Sequence, residues 1–231
     1  MTKVIAFAGV FLGFGSIASA IPALQLYLEG ATYDTTGEMW VLNDLSSPAR
    51  LWVIGNVGNF GAIQNVRLAV AYDSAINPTI TLTPSTTGGL GGFTDPPPLP
   101  GAPTYIQTVT DGSAPILEGG GSLPSHGIYG LGTDWQEFML GDFTLTDSPI
   151  ADFIDTFPAP HDSQTGQINV YEFSAVGGMG FHFDVYNHVA GATRGLFGPF
   201  SHSATVIPAP GAVLLGVVGL GMVVWTRRRV S

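Results

Sequence analysis

The stretch Val66-Arg-Leu-Ala-Val-Ala-Tyr72 alternates large apolar residues with arginine and alanine, and this alternation decides the fold class. Successive side chains of a β-strand point to opposite faces of a sheet, so a period of two predicts strands with one face on a core. The same pattern recurs in Leu24–Leu28, Thr79–Thr83, Asp142–Thr146 and Phe181–Tyr186. Less regular strand candidates are Glu38–Leu42, Leu51–Val57, Tyr105–Thr110, Trp135–Leu140 and Ile168–Phe173.

Composition favours the same fold class. The 231 residues include 32 glycines and 17 prolines, and between the two ends of the chain no segment has a clear helical period. Turn residues lie between the strand candidates, as in Asp34–Gly37, Asn56–Asn59 and Asp162–Gly166. We therefore predict an all-β body, an antiparallel β-sandwich resembling a jelly roll.

Two long segments rich in glycine and proline interrupt the strand pattern, Pro84–Pro103 and Gly112–Gly127. A buried loop would leave backbone polar groups without partners, so both are predicted to be surface loops. The part before Pro84 has too few strands to close a sandwich of its own, which predicts one domain.

The first residues are typical of a secretory signal peptide. Lys3 precedes the apolar run Val4–Gly15, and small residues at Ala18 and Ala20 form an A-x-A cleavage pattern. Cleavage after Ala20 would make Ile21 the first residue of the mature chain. The alternative is a buried apolar helix.

The last residues predict a transmembrane helix. The 18 residues 209–226 carry no charge and, as a helix, would span roughly 27 Å of bilayer. Trp225 suits the interface, and Arg227, Arg228 and Arg229 predict a cytoplasmic end with the body facing outward. The predicted organisation is a signal peptide (1–20), an exported β-rich domain (21–207) and an anchor segment (208–231).

The segment Pro208-Ala209-Pro210, the Gly-rich apolar helix and the Arg-rich end resemble the C-terminal sorting region of bacterial PEP-CTERM proteins. Ala209 stands where that family has glutamate. The resemblance implies recognition by an exosortase, a membrane cysteine transpeptidase that would cut at the motif and deliver the protein to the cell surface or extracellular matrix. The alternative is an ordinary membrane anchor that is not cut.

Parts of the body resemble an exported "choice-of-anchor" family, whose members carry interchangeable C-terminal anchors on a β-rich body. The similar blocks are Leu123–Tyr129, Gly166–Tyr171, Gly180–Tyr186 and Pro199–His202. This resemblance implies a surface protein and assigns no activity.

The charge of the body excludes several classes of function. Residues 21–207 contain three arginines, no lysine and seventeen acidic residues, a formal charge of −14. Such a surface repels nucleic acid and anionic membranes and attracts cations. The chain has no cysteine, which excludes a disulfide scaffold and thiolate metal sites.

One strand candidate carries a polar face. His182, Asp184, Tyr186 and His188 alternate with apolar residues, so they share one side of a strand. His182 and Asp184, about 7 Å apart along an extended strand, are candidate ligands of a divalent metal. The sequence favours the other interpretation, a polar stripe that faces solvent.

A second candidate metal site is the acidic stretch with Asp142, Asp147, Asp152 and Asp155. Calcium prefers several oxygen ligands on loops, and a protein without disulfides would gain stability from it. No EF-hand or repeat spacing is present, and no other cofactor is predicted.

Two further sites are weaker candidates. Trp135, flanked by Asp134 and Gln136, is a candidate for stacking on a sugar ring, whereas Trp40 and Trp52 lie in apolar strands and are predicted to be in the core. Ser125 beside His126 would be a hydrolytic pair, but no G-x-S-x-G motif or phosphate-binding loop accompanies it.

These observations predict a non-enzymatic structural or interaction protein of the cell surface or extracellular matrix. Its expected partners are the exosortase, the membrane before processing and, as a further candidate, exopolysaccharide. The alternatives are a glycan-binding module on the same anchor and a secreted hydrolase.

Overall fold

The computed structural model of the protein describes residues 21–43, 48–87, 100–156, 164–188, 195–198 and 203–207. Strands make up 56% of the structure and helices 6%, which confirms the predicted mostly-β body. Within the described residues there are twelve strands and two short helices. The strands are β1 (Leu24–Leu28), β2 (Thr32–Asp34), β3 (Met39–Leu42), β4 (Ala49–Gly55), β5 (Ile63–Asp73), β6 (Thr79–Thr87), β7 (Thr104–Val109), β8 (Thr133–Phe143), β9 (Ser148–Ile150), β10 (Gln164–Val176), β11 (Phe181–Asn187) and β12 (Ser203–Val206). The helices are α1 (Val57–Phe60) and α2 (Phe153–Thr156), and one turn of 3-10 helix spans Glu118–Gly120.

The strands form two sheets. The first sheet has the order β1-β4-β10-β6, with β9 also paired to β10, and all of its pairs are antiparallel. The second sheet has the order β2-β3-β12-β11-β5-β8-β7. In it β3 and β12 pair in parallel, so the antiparallel prediction holds for every other pair but not for this one.

The core lies between the two sheets. Leu26, Trp52 and Phe173 of the first sheet and Leu68 and Phe183 of the second belong to one cluster of buried residues. Burial of apolar surface contributes roughly 25 cal/mol per Å², so this cluster is the main source of stability. The two-sheet arrangement therefore confirms the β-sandwich at the level of its layers.

Trp40 and Trp52 lie in this core, as the sequence predicts, with exposed fractions of 6% and 4%. Tyr27 packs edge-on against both indoles, at centroid distances of 4.9 and 5.8 Å. The indole N–H of Trp52 donates to Glu29 at the edge of the cluster, so the indole nitrogen has a hydrogen-bond partner.

Strands β1 and β11 are buried on both faces, although alternation predicts one exposed face. In β1 the polar Gln25 is fully buried because its amide donates to the carbonyl of Ala151 and accepts from the backbone N–H of Phe153. The outer face of β11 is covered by residues 110–132, which connect β7 to β8.

This connection, called the cover loop below, contains the predicted surface loop Gly112–Gly127. Most of its residues lie at the surface, as predicted, but a few of its side chains pack on the outer face of the second sheet. Leu123 and Tyr129 form a second apolar cluster with Ala69, Ala71 and Trp135. The first predicted loop is different: β6 continues through Pro84 to Thr87, and residues 88–99 lie outside the described residues.

The predicted signal peptide (1–20) and anchor segment (208–231) lie outside the described residues. Among the residues that are described, no helix has the length and apolarity needed to cross a membrane.

Candidate metal centre

The candidate site lies on the outer face of the second sheet, where β11 presents His182 and Asp184. The register of β11 on β5 places Ala71 opposite His182 and Ala69 opposite Asp184. Both alanines are small, so the sheet has room at this point for side chains from the cover loop. The alternating Phe181 and Phe183 point into the core and hold the strand in this register.

The cover loop supplies His126 and Tyr129. It is attached to the sheet by the indole N–H of Trp135, which donates to the carbonyl of Ser113 at 2.7 Å, and by the Thr133 hydroxyl, which donates to the carbonyl of Ile128 at 2.8 Å. His126 has a φ of +32°, an uncommon conformation for a residue with a Cβ. The surrounding contacts hold the imidazole against β11 in spite of this conformation.

The potential ligand atoms of three side chains converge at the site. The Nε2 atoms of His126 and His182 are 3.0 Å apart. Nε2 of His182 lies 3.2 Å from one carboxylate oxygen of Asp184, and Nε2 of His126 lies 3.7 Å from the other. All three side chains are at least nine-tenths buried, with exposed fractions of 8%, 5% and 3% for His126, His182 and Asp184. Among the described residues this is the group of three whose ligand atoms, all within 4.8 Å of one another, could hold a metal ion.

The other ring nitrogen of each histidine has a partner that determines the tautomer. Nδ1 of His126 lies 2.8 Å from the carbonyl oxygen of Pro124, which can only accept, so Nδ1 carries the proton. Nδ1 of His182 lies 2.6 Å from the Thr205 hydroxyl, which donates its own proton to the sulfur of Met39. That hydroxyl therefore accepts from His182. In the neutral forms, both Nε2 atoms present lone pairs toward each other and toward Asp184.

The carboxylate of Asp184 is held in its ionised form. Burial alone would raise its pKa, but His182, His126 and the hydrogen bond from Tyr129 together lower the pKa below its ordinary value. The Tyr129 hydroxyl donates to Asp184 at 2.7 Å. Burial and the adjacent carboxylate raise the pKa of Tyr129 well above 10, so this hydroxyl keeps its proton.

A second buried carboxylate lies farther along the same face. Glu137 accepts from Arg67 at 2.8 Å, from Tyr186 at 2.8 Å and from Gln107 at 2.7 Å. Its charge is balanced by Arg67 and its oxygens accept three hydrogen bonds, so Glu137 belongs to an ion-pair network, in which Nε of Arg67 has no partner among the described residues. Among the described residues Asp184 has no arginine partner; its side-chain partners are Tyr129, His182 and His126.

This arrangement contradicts the interpretation of His182, Asp184 and Tyr186 as a solvent-facing stripe. All three are buried, with exposed fractions of 4%, 3% and 0% for the whole residues, because the cover loop lies over them. His188 continues the strand face but is partly exposed and does not belong to the group of three. Its Nδ1 lies 3.3 Å from the carbonyl oxygen of Ile116.

The acidic stretch predicted for calcium has its described members in separate places. Asp142 accepts from the backbone N–H of Asn65, Asp147 from the hydroxyl of Ser148, and Asp152 from the backbone N–H of Ile154 at the start of α2. These three carboxylates do not form a convergent group in the described part of the chain. The side chain of Asp155 lies outside the described residues.

Trp135 does not offer the ring face that sugar stacking needs. It is 3% exposed and packs edge-on against Tyr129, with 6.2 Å between the ring centroids. The prediction of a stacking platform at this position is therefore wrong, and the reason is the cover loop. Its polar neighbours Asp134 and Gln136 point to the other side of β8, so they gave no sign that the indole is buried.

The pair Ser125 and His126 is not arranged for hydrolysis. Both ring nitrogens of His126 are directed at other groups, Pro124 on one side and His182 with Asp184 on the other. A groove of about 320 Å³ borders the site, and Gly127, His182 and Thr205 are among the residues that line it. This groove gives solvent and small ions a route to the edge of the cluster.

Sequence reasoning identified His182 and Asp184 as a pair but missed His126 as the third member. The contact joins residues 56 positions apart, through a loop without periodicity. Two local signals pointed to it: histidine before glycine in Pro124–Gly127, a context that suits a positive φ, and paired alanines on β5 opposite two polar residues.

Comparisons of the chain with family models, with curated proteins and with solved structures gave no match.

Proposed function

We propose that this chain is an exported protein of the bacterial cell surface or extracellular matrix, with a structural or interaction role and no catalytic activity. The observation that carries the proposal is the combination of the two ends. A signal-peptide pattern ends at Ala20, and the Pro208-Ala209-Pro210 motif precedes an uncharged helix and three arginines.

The properties of the body agree with this location. Its described residues form a β-sandwich with a dense apolar core, and it has no cysteine that an oxidising compartment would pair. The formal charge of −14 on residues 21–207 keeps it soluble and away from anionic polymers. An acidic, lysine-free surface would attract cations of the envelope or matrix.

Each part of the anchor segment 208–231 has a role in the proposed sorting step. The helix would hold the Pro-Ala-Pro segment just outside the membrane, and Arg227–Arg229 would keep the C-terminus in the cytoplasm. An exosortase-type transpeptidase would then cut at the motif and release the body from its helix. The chain is thus a substrate of the sorting enzyme.

The test follows the mass of the mature protein in a bacterial host with and without an exosortase. We expect the protein to lack residues 1–20 in both strains and to lose its C-terminal helix only where the exosortase is present. The double variant Pro208→Ala/Pro210→Ala should keep the helix in both strains, while Pro199→Ala, outside the motif, should be processed normally. If the mature protein keeps its helix in the strain with an active exosortase, the C-terminal segment is an ordinary membrane anchor and the sorting proposal fails.

A further inference from the structure

We propose that His126, His182 and Asp184 form a binding site for a divalent transition-metal ion of the zinc type, and that the bound ion ties the cover loop to strand β11. The ligand atoms are Nε2 of both histidines and the carboxylate of Asp184. This inference does not depend on the sorting of the chain, because it uses only residues of the β-sandwich.

The distances fit a common ion. Zinc binds imidazole nitrogen and carboxylate oxygen at about 2.0–2.2 Å, so two ligand atoms in a tetrahedral site are roughly 3.3 Å apart. The two Nε2 atoms are 3.0 Å apart, and each lies near a different oxygen of Asp184, at 3.2 Å for His182 and 3.7 Å for His126. One ligand atom from each residue can be chosen with all three within 4.8 Å, so the site needs side-chain adjustments, chiefly a turn of the carboxylate, to receive the ion.

The electrostatics also favour a cation. The two Nε2 atoms face each other as acceptors, because Pro124 and Thr205 hold the protons on the opposite nitrogens. With both imidazoles neutral, the two lone pairs and the carboxylate are buried together and repel one another; protonation of an imidazole relieves this repulsion, and so does a metal ion between the three groups. A metal ion bonds to all three groups. A single shared proton is the competing solution, and it would bridge only two of them.

The surrounding hydrogen bonds are those of a metal site. Ligating histidines usually donate their other N–H to a carbonyl or another acceptor, which orients the ring and strengthens the ligand. His126 donates to Pro124, His182 donates to Thr205, and Asp184 accepts from Tyr129. Each of the three ligands therefore has one partner outside the coordination sphere.

The donor set selects the class of metal. Calcium and magnesium prefer oxygen ligands, whereas two imidazoles with one carboxylate suit zinc, copper, nickel or iron. Three protein ligands leave a further position for water, and the groove beside His182 and Thr205 gives access to it. Without cysteine, the body has no disulfide to hold the cover loop, so a metal ion would serve as a cross-link.

The test uses the full chain, purified in detergent without a histidine tag, stripped with EDTA and titrated with zinc. We expect one high-affinity zinc ion per chain and a higher melting temperature when zinc is bound, because the ligand binds only the folded state. His126→Asn keeps a residue that tolerates positive φ and removes the imidazole, and Asp184→Asn keeps the shape of the side chain. Each should weaken zinc binding by more than about 100-fold.

His188→Asn is the matched control, because His188 lies on the same strand face outside the cluster and should leave zinc affinity unchanged. The zinc-free melting curves of all variants show whether they fold. A wild-type chain that shows no zinc-dependent rise in melting temperature overturns the proposal. So does an equal rise in His126→Asn, since the ion would then be bound elsewhere.

Discussion

At the scale of single residues, Thr205 shows how a strand far away in sequence orients a side chain of the proposed metal site. Its hydroxyl accepts from His182 and donates to Met39, so it determines which nitrogen of His182 faces Asp184. Thr205 is on β12 and Met39 on the parallel neighbour β3, and the parallel pairing of these strands brings the two residues together.

We predict that Thr205→Val weakens zinc binding by about 10–100-fold, because the ring of His182 loses the acceptor that orients it. Valine has the shape of threonine, so packing on β12 should change little. Thr205→Ser keeps the hydroxyl and should bind zinc nearly as well as the wild type. A titration of the three proteins gives the affinities, and equal affinities of the Val and Ser variants would show that this hydrogen bond has no part in binding.

Tyr171 carries a prediction about alkaline pH. Burial raises its pKa to about 12, from 10 in the unfolded chain. The folded state therefore holds the proton more tightly, and the stability due to this group is complete below pH 10 and is lost as the pH rises toward 12. The difference between these two pKa values corresponds to a loss of roughly 3 kcal/mol in the free energy of unfolding once the pH has passed about 12.

Urea unfolding between pH 9 and about 12 measures this loss. Tyr171→Phe removes the titrating group and should flatten the pH dependence, although it also removes the acceptor of the Asn169 side-chain N–H. Other buried tyrosines, including Tyr129 and Tyr186, keep part of the dependence in the variant. If the free energy of unfolding of Tyr171→Phe falls with pH as steeply as that of the wild type, Tyr171 does not titrate in this range.

At the scale of elements, the cover loop depends on a close backbone approach at its start. Gly112 has a φ of +75°, and a Cβ at this position would collide with the carbonyl oxygen of Gly130 near the end of the loop. Only glycine combines that φ with that proximity. The approach brings the two ends of the loop together and directs its middle onto β11.

We predict that Gly112→Ala lowers the free energy of unfolding by more than about 1 kcal/mol, from the unfavourable φ and the backbone collision. Gly121→Ala, in the same loop, is the control: its φ is −78° and a Cβ there would meet no atom within 4 Å. The control should be neutral or stabilising by up to about 1 kcal/mol. Urea unfolding compares the two, and equal effects would contradict the role given to Gly112.

The elements also show what sequence could predict. Strands such as β1, β5 and β11 were predicted because a period of two is a local signal. The three-residue strands β2 and β9 are too short to show that period. The four-residue β12 pairs with β3 across most of the chain, and such pairing leaves no mark in local sequence.

The candidate site likewise has one part that local sequence predicts and another that depends on long-range packing. Sequence identified His182 and Asp184 because their alternation is local, but it placed them in solvent. Their burial results from the cover loop, whose glycines and prolines predicted a surface loop. Which strand a loop covers depends on long-range packing, here of Leu123 and Tyr129 on Ala69 and Ala71. The third candidate ligand, His126, is therefore brought to the other two only by the fold.

At the scale of the whole molecule, the proposed topology places a body of formal charge −14 outside the membrane and three arginines inside. The acidic body contributes little to orientation, since lysine and arginine near a helix end dominate the choice. The arginines are thus expected to orient the helix.

We predict that replacing Arg227, Arg228 and Arg229 together by glutamine weakens this orientation without affecting the β-sandwich. In intact spheroplasts, added protease should digest the body of the wild-type precursor that has not been cut. In the triple variant part of the body should be protected, because some chains would insert with the opposite orientation and keep the body inside. Arg194→Gln, which removes a charge from the body itself, is the matched control and should behave as the wild type does. Complete digestion of the triple variant would mean that the signal peptide alone sets the topology, and the arginines would then have no orienting role.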